Sequence, residues 1–243
     1  MSPDLALALE LADAADAISL PHFRSGLAIE TKPDLTPVTE ADRAVETELR
    51  RILETERPGD AILGEEHGAE GTGSRRWIVD PIDGTRNYAR GIPVWATLIA
   101  LEVNRVVEVG VVSAPALARR WWAERESGAF ANGERVHVSA IATIEESVLS
   151  FAIENAVPAI AGRAWHARGF GDFWSYMLVA EGAVDGAVDA LGVSEWDLAA
   201  MQVIVEEAGG RFSDAHGVSR IDGGSAVASN GLIHDELLAA LPT

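Results

Sequence analysis

The chain has 243 residues, of which 48% are hydrophobic, and this is sufficient for one large globular unit or two closely joined halves. It contains no cysteine, which excludes disulfide scaffolds, thiolate zinc sites and cysteine nucleophiles. The formal net charge of −19 disfavours nucleic acid and anionic membrane surfaces as partners.

The N-terminal segment predicts an amphipathic helix, because Leu7, Leu11, Ala14 and Ile18 recur at helical spacing. The segment has no basic region and carries acids through its apolar stretch, so we expect a mature helix and not a signal peptide. No run in the sequence approaches the roughly 18 uninterrupted apolar residues that a membrane span requires. A soluble cytoplasmic protein is therefore the expectation.

The first half of the chain predicts two helices against a mostly antiparallel sheet. The second helix is expected after Thr39, which with Asp42 resembles a capping box. The predicted strands are "AILGEE" (61–66), "RWIVD" (76–80), "VWATLIALEV" (94–103), "VVEVGVV" (106–112), "RRWWAE" (119–124) and "RVHVS" (135–139). Asn104-Arg105 suggests a hairpin between two of these strands, and Asn132-Gly133 is a good type I′ turn signal.

From about Ile141 the pattern changes to strands that alternate with helices, which favours an α/β layer. Strands are expected at 147–153, 183–190 and 225–230, and helices at 171–182 and 196–210. We therefore predict two halves with a boundary near residues 135–140. An N-terminal α+β half, 1–138, would carry most of the metal ligands, and a C-terminal α/β half, 139–243, would carry the last ligand and the specificity residues.

Acidic residues stand at three predicted element ends: Glu65-Glu66, Asp80 with Asp83, and Asp197. Singly, each has an ordinary interpretation as turn chemistry or as a solvated acid. Together they favour function, because strand ends that face one rim of a sheet would bring carboxylates into one cleft, where they repel unless protons or cations intervene. Mg²⁺ matches such oxygen ligands, and two such ions can activate a water and stabilise a leaving oxygen.

Gly84 and Thr85 follow the acids directly. If the chain turns at Gly84 and begins a helical turn at Thr85, free backbone N–H groups would be available to an anion. A phosphate would then lie between these N–H groups and the metal ions, which also offset the repulsion between an acidic protein and an anionic substrate.

These motifs together resemble the inositol monophosphatase-like family of metal-dependent, lithium-sensitive phosphatases. The matching stretches are "KPDLTPVTEAD" (32–42), "GEE" (64–66), "WIVDPIDGTRNY" (77–88), "WDLAA" (196–200) and "EEAGG" (206–210). The resemblance covers nearly the whole chain. It implies a layered α-β-α-β-α sandwich of the inositol monophosphatase/fructose bisphosphatase type, usually a homodimer, that hydrolyses a small phosphate monoester with two or three Mg²⁺ ions per subunit.

The resemblance also implies roles for individual residues. The metal ions would be held by Glu65, Asp80, Asp83, Asp197 and the backbone carbonyl of Ile82. Glu65, Thr85 and Asp83 would be catalytic, with Thr85 and Glu65 orienting the attacking water. In such a mechanism the water attacks in line and no phosphoenzyme forms.

The remaining implied residues support the metals or bind the phosphate. Asp42 and Glu66 would support the metal ligands or bind a third ion. Gly84 and Thr85 would supply phosphate-binding N–H groups.

The substrate is addressed by a different part of the chain. In inositol monophosphatases an acid that binds sugar hydroxyls lies seven positions before the Asp of the W-D motif, and here that position is Ala190. The stretch 168–185 instead looks like that of the histidinol-phosphatase members, which act in histidine biosynthesis. Histidinol phosphate carries a cationic amine and an imidazole, so acids near the pocket are expected. The candidate acids are Asp172 and Glu195, and Arg168 and Ala190 are further candidate substrate-binding positions; the ordinary interpretation of Asp172 is a helix N-cap.

Alternatives remain open at this point. The chain departs from the histidinol-phosphatase pattern in a short segment, 151–165, and in an acid at Glu195, so an inositol-1-monophosphatase or a broad sugar or nucleotide monophosphatase is the alternative. A haloacid dehalogenase-type phosphatase needs acids two apart, whereas Asp80 and Asp83 are three apart. A histidine-clustered PHP-type phosphatase is disfavoured because the six histidines are scattered. A non-catalytic regulator would be expected if a metal ligand or Thr85 were missing.

Overall fold

A computed structural model of the chain describes residues 1–25, 29–31, 37–152 and 159–241. Residues 32–36 of the stretch 32–42 and residues 153–158 of the short segment 151–165 lie outside the described residues. The helices are α1 (Pro3–His22), α2 (Glu40–Glu56), α3 (Thr85–Ala89), α4 (Asp172–Ala180), α5 (Glu195–Glu207) and α6 (His234–Ala239). Short 3₁₀ turns lie at Pro115–Leu117, Ile144–Glu146 and Ala159–Gly162.

Four helices, α1, α2, α4 and α5, lie where the sequence predicts them. α3 is the helical turn considered at Thr85, and α6 is not predicted. α2 begins with the expected capping box, in which the carboxylate of Asp42 accepts the backbone N–H of Thr39 at 2.8 Å. A second capping box, between Ser194 and Asp197, begins α5. Gly182 follows α4 with a positive φ of 71°, which glycine adopts without strain.

The larger sheet has eight strands in the order β10-β9-β8-β7-β6-β5-β3-β4. They are β3 (Ala61–Gly64), β4 (Gly68–Glu70), β5 (Arg75–Asp83), β6 (Ala96–Val103), β7 (Val106–Ala114), β8 (Arg119–Glu124), β9 (Gly128–Ala131) and β10 (Glu134–Arg135). All neighbours are antiparallel except the parallel pair β3 and β5. Both predicted hairpin turns are confirmed, and the central residues of each, Asn104-Arg105 and Asn132-Gly133, have positive φ.

The predicted strand at 135–139 is wrong beyond Arg135. The backbone N–H of Val138 donates to the carbonyl of Ala208 at the end of α5, so the chain leaves the sheet and crosses to the helix layer. A hydrogen bond to a helix end replaces the ladder bond that a strand would make here.

The smaller sheet has five strands in the order β12-β11-β13-β15-β14. They are β11 (Val148–Phe151), β12 (His166–Arg168), β13 (Gly186–Asp189), β14 (Arg211–Ser213) and β15 (Ala226–Ser229). β11 is parallel to β12 and β13, whereas β15 is antiparallel to β13 and β14. A separate two-stranded ribbon is formed by β1 (Ile29–Thr31) and β2 (Pro37–Thr39).

The elements stack in five layers, which confirms the predicted α-β-α-β-α sandwich. On one face of the large sheet, α1 and α2 bury Leu11 and Leu49 against Trp77 and its same-face neighbours. On the other face, α4 and α5 pack between the two sheets and share one apolar cluster with both. α6 and the 3₁₀ turns at Ile144–Glu146 and Ala159–Gly162 cover the outer face of the small sheet with Leu237 and Ile144.

The proposed division at residues 138 and 139 separates the strands of the two sheets. One buried cluster nevertheless joins them, because Ile78 of β5 and Ala228 of β15 both belong to the core around α4 and α5. The division into two halves therefore stays a prediction about how the chain folds. Within the described residues, no helix combines the length and apolar content of a bilayer span.

The buried histidine of the outer layer, His234, makes the stability of the protein depend on pH. Its ring is fully buried, and its two nitrogens lie 2.9 Å from the hydroxyls of Ser213 and Ser229. Burial, with Arg211 nearby, lowers the pKa of His234 from 6.5 to about 4. Between these values the unfolded chain binds more protons than the folded one, so this contribution to stability is complete above pH 6.5 and is lost as the pH falls toward 4.

We expect His234→Gln, which does not titrate, to reduce the pH dependence of the free energy of unfolding between these two pKa values. Urea denaturation of both proteins across that range measures the difference, and the carboxylates common to both cancel. Parallel pH profiles for the wild type and the variant would contradict the buried, neutral state of His234.

Candidate active site

A bulge in β5 brings its two acids to the same face of the sheet. In a regular strand, residues three apart point to opposite faces. Here Asp80 pairs with Leu98 and Asp83 with Ala96, so three steps on β5 match two on β6 and the register shifts. Pro81, which lacks a ladder donor, lies inside this shift. The bulge therefore corrects the alternation, and both carboxylates face α4 and α5.

Asp197 at the start of α5 completes a cluster with these two acids. One carboxylate oxygen from each of Asp80, Asp83 and Asp197 lies within 4.8 Å of the others. Backbone N–H groups fix all three side chains: Ile82 donates to Asp80 at 3.0 Å, Phe173 to Asp83 at 2.6 Å, and Ser194 to Asp197 at 2.6 Å. The three carboxylates are thus held in place by main-chain contacts.

The pKa values of these acids are raised, because burial penalises the charged form and the acids repel one another. Burial and the charge of Glu65 raise the pKa of Asp80 well above its usual range. Burial and the charge of Asp172 do the same for Asp83. Burial raises the pKa of Asp197 to about 7. Oxygen-only donors that repel one another in a buried cleft suit a hard divalent cation, which would bind the charged form and relieve the repulsion.

Glu65, Asp42 and Thr85 surround this cluster. Glu65 lines the same cavity as Asp80 and adds to the repulsion that raises the pKa values of Asp80, Asp197 and Asp42. The hydroxyl of Thr85 donates to the carbonyl of Ile82 at 3.0 Å and lies 3.5 Å from a carboxylate oxygen of Asp42. The structure therefore brings together every residue predicted to hold the main metal ions.

Gly84 makes the turn that the sequence predicts. Its φ is +78°, and a Cβ at this position would lie 3.1 Å from the carbonyl of Val94 and 3.2 Å from the carboxylate of Asp172. α3 begins at the next residue, Thr85, and both residues line the cavity. The turn needs glycine both for its left-handed backbone and for the close approach of two neighbours.

The cavity has a volume of about 550 Å³ and lies between the bulge of β5, the start of α4 and the start of α5. Its charged lining is mostly acidic, and Arg86 is the cationic side chain among the lining residues of the described chain. Apolar lining comes from Ile82, Phe170, Leu191, Val193, Leu198 and Met201. A site of this size accommodates a small ester with both charged and apolar parts.

Asp172 lies at the end of the cavity near α3. It is not an N-cap: the cap of α4 is Gly171, and the Asp172 carboxylate accepts a hydrogen bond from the amide of Asn87 at 3.1 Å. Its backbone has a positive φ of 49°, which Asp tolerates better than most residues. Burial and the neighbouring charge of Asp189 raise the pKa of Asp172 to about 6, and Arg86 opposes that rise.

Asp189 is the main residue that sequence reasoning missed. It ends β13 and lines the cavity, and it accepts a hydrogen bond from the buried hydroxyl of Tyr176. Burial raises its pKa, and the Tyr176 hydrogen bond opposes the rise. The available signal was its place one residue before Ala190, the position compared with the sugar-binding acid. Asn87 and Arg86, inside the recognised motif, also line the cavity but were assigned no role.

The structure does not bring the other predicted substrate residues to the cavity. Glu195 forms an ion pair with Arg76, which also binds Glu102, and it lines a separate depression. Helix geometry explains this, because Glu195 and Asp197 are two residues apart and lie on different sides of α5. Ala190 packs beside the outer core, and Arg168 is exposed at the end of β12.

Glu66 also lies outside the lining of the cavity. Its backbone N–H donates to the carboxylate of Glu46 at 2.7 Å, which places it in the turn that follows β3.

Comparisons with known proteins agree with this geometry. Residues 1–243 match the inositol monophosphatase family. The chain is 54% identical to a histidinol-phosphatase of Mycobacterium tuberculosis, covering 98% of this chain and 97% of that protein. It is 47% identical to a histidinol-phosphatase of Streptomyces coelicolor, covering 98% and 96%. Among solved structures, an IMPase of Thermotoga maritima is 33% identical, with a TM-score of 0.89 over 98% of this chain and 96% of that one.

The acid cluster predicts the behaviour of Asp83→Asn. Asparagine keeps an oxygen that accepts the Phe173 N–H but removes one negative charge from the cluster, so the metal-free variant should fold and melt at the same temperature as wild type or a few degrees higher. Mg²⁺ should raise the melting temperature of the wild type and should have no such effect on the variant. Differential scanning calorimetry with and without Mg²⁺ measures both effects.

Asp222→Asn serves as the matched control, because Asp222 is an exposed acid that is paired with Arg220 and does not line the cavity of the cluster. It should leave the Mg²⁺ effect unchanged. An Asp83→Asn protein that unfolds, or that keeps the full Mg²⁺ response, would contradict the assignment.

Proposed function

The chain belongs to the inositol monophosphatase family, and from this premise we propose that it is a Mg²⁺-dependent phosphomonoesterase whose substrate is histidinol phosphate. The observation that carries the proposal is the division of the cavity's acids into two groups. Asp80, Asp83 and Asp197 form the cluster suited to metal ions, and Asp172 and Asp189 line the same cavity outside that cluster. Two relatives that match nearly the whole chain bear the name histidinol-phosphatase, which supports the same substrate. The reaction would serve histidine biosynthesis.

The charges of the substrate fit this division. Its phosphate is anionic and needs cations among the acids of β5 and α5, whereas its amine and imidazole are cationic or hydrogen-bonding and suit Asp172 and Asp189. Phe170 closely precedes Asp172 in sequence, and Leu191 closely follows Asp189. Both line the same cavity, so they supply apolar surface for an imidazole ring. A plain alkyl phosphate would offer Asp172 and Asp189 neither a cation nor a further hydrogen-bond donor, which disfavours it as a substrate.

Asp80, Asp83, Asp197, Glu65 and the carbonyl of Ile82 would hold the metal ions, two or three per subunit, with Asp42 near a third. Bound Mg²⁺ supplies charge compensation for the phosphate oxygens and lowers the pKa of a water. The donor set is entirely oxygen, which is the preference of Mg²⁺.

The chain's own groups orient the reactants. The Thr85 hydroxyl, held by the carbonyl of Ile82 at 3.0 Å, and the Glu65 carboxylate are the pair we assign to orient the attacking water. The backbone N–H groups at Gly84 and Thr85 would bind phosphate oxygens. Water attacks phosphorus in line as the ester oxygen departs, which yields histidinol and inorganic phosphate without a phosphoenzyme.

A second candidate is an inositol or sugar monophosphatase activity. It is favoured by Asp189, which lies one residue from the position of the acid that binds sugar hydroxyls in inositol monophosphatases. A carboxylate accepts hydrogen bonds from hydroxyls as readily as from an amine.

Cytoplasmic location and a homodimeric assembly also stay predictions of this proposal.

We expect kcat/KM for histidinol phosphate with Mg²⁺ to exceed that for inositol 1-phosphate and glycerol 2-phosphate by at least about tenfold, because only histidinol phosphate brings a cationic group to Asp172 and Asp189. A phosphate-release assay with the three esters at matched Mg²⁺ measures the ratios. A rate on histidinol phosphate no better than that on glycerol 2-phosphate would reject the substrate, and a preference for inositol 1-phosphate would support the second candidate.

Asp189→Asn tests the recognition directly. It keeps the hydrogen bond from Tyr176 but removes the charge, so KM for histidinol phosphate should rise by about tenfold or more. The rise in KM for glycerol 2-phosphate should be smaller, since that ester has no cationic group. An equal rise in KM for both esters would indicate that Asp189 affects the metal cluster and does not bind the cationic part of the substrate.

Family resemblance further predicts inhibition by Li⁺ at millimolar concentration. Titration of LiCl against KCl at constant ionic strength, with the preferred ester, measures it. Full activity at tens of millimolar Li⁺ would contradict lithium sensitivity without affecting the substrate assignment.

A further inference from the structure

A buried carboxylate on α2, Glu46, lies outside the residues assigned to catalysis. It has no exposed surface, although the rest of the buried face of α2 is largely apolar. A buried charge is costly unless it is paired and hydrogen-bonded. Its contacts therefore indicate what the position requires.

Three donors satisfy Glu46. The backbone N–H groups of Glu66 and His67 donate to its two oxygens at 2.7 and 3.1 Å, and Nε of Arg50, one helical turn later, donates at 2.9 Å. The two backbone groups belong to the turn that follows β3. Glu46 thus connects α2 to the backbone of that turn. Because the two donors are backbone N–H groups, no substitution in the turn other than proline removes them.

Gly64 allows this approach from the other side. A Cβ at Gly64 would overlap the Glu46 carboxylate, so the last residue of β3 has to be glycine for the carboxylate to lie where it does. Glu65 is therefore enclosed: the carboxylate lies against the residue before it and binds the N–H groups of the two residues after it. The backbone of Glu65 is thus held on both sides by contacts with Glu46.

Arg50 extends the connection to the next strand. Its guanidinium donates to the carbonyl of Gly68 and pairs with Glu70 at 3.3 Å, while its Nε neutralises Glu46. Asp42 lies one turn before Glu46 on the same helix and reaches the cluster near Thr85. One helix therefore places Asp42 directly and Glu65 through a held turn.

We propose that Glu46 is a positioning residue that fixes the Glu65 carboxylate for metal binding, with Gly64 as the small residue that this contact requires. The proposal rests on the proposed function in one respect, namely that Glu65 is a metal ligand. Groups that orient metal ligands typically account for about 10- to 100-fold in metal affinity or activity. Loss of Glu46 should therefore weaken metal binding more than substrate binding.

The test compares wild type with Glu46→Gln and Gly64→Ala. Glutamine presents an NH₂ group to at least one of the three donors and removes one of the two charge partners of Arg50, so that only Glu70 still pairs with it. Alanine at 64 keeps every charge but displaces the carboxylate. In both variants we expect the dissociation constant for Mn²⁺, measured by calorimetry without substrate, to rise by about tenfold or more. The Mg²⁺ concentration for half-maximal activity should rise in parallel, with KM for the ester changed less than twofold.

Glu48→Gln is the matched control. Glu48 lies two residues further along α2 and pairs with Arg51 on the surface, so its loss should change neither Mn²⁺ affinity nor the Mg²⁺ requirement. Circular dichroism reports whether each variant is folded, and Gly64→Ala provides the result if Glu46→Gln does not fold.

Unchanged Mn²⁺ affinity in a folded Glu46→Gln or Gly64→Ala protein would overturn the proposal, as would a lower melting temperature with no change in metal binding. Calorimetry also separates this outcome from failure of the proposed function. Wild type that binds Mn²⁺ but does not hydrolyse histidinol phosphate would reject the substrate and leave the role of Glu46 to be judged from metal affinity alone.

Discussion

Repulsion among carboxylates held in a buried cleft is the constraint on which the site depends. The bulge in β5 turns Asp80 and Asp83 to one face, and α5 adds Asp197, so three oxygen donors lie within 4.8 Å of one another. Burial and mutual charge raise their pKa values. A cation that binds the charged carboxylates removes this penalty, so metal binding and stability are linked.

The helices are joined to this cleft by main-chain contacts. α4 begins where the N–H of Phe173 meets Asp83, and α5 begins with a capping box whose acid is Asp197. α2 reaches the turn after β3 through Glu46. Because α4 and α5 also form the layer between the two sheets, the position of each acid is tied to the packing of the whole sandwich. A cluster of acids that repel one another can persist because contacts from the surrounding structure fix the position of each acid.

Local signals made much of the fold and the acid cluster predictable. Periodicity and caps located α1, α2, α4 and α5, and Asn104-Arg105 marked a hairpin. The residues proposed to bind substrate were harder to predict, because their positions depend on contacts distant in sequence. Glu195 is drawn away by Arg76, 119 residues earlier, whereas Asp189 faces the cavity where β13 ends beside Tyr176. Short strands such as β12 and β14 carry too few residues to display an alternating pattern, and only their neighbours define them.

The claim that the bulged strand builds a divalent cation site is tested most directly by a crystal of the protein soaked in Mn²⁺, with data collected at the manganese absorption edge. The account predicts anomalous density within bonding distance of Asp80, Asp83 and Asp197, and its absence in crystals of Asp83→Asn treated in the same way. A soaked wild-type crystal with no anomalous peak among these carboxylates, or with its strongest peak elsewhere on the surface, would contradict it.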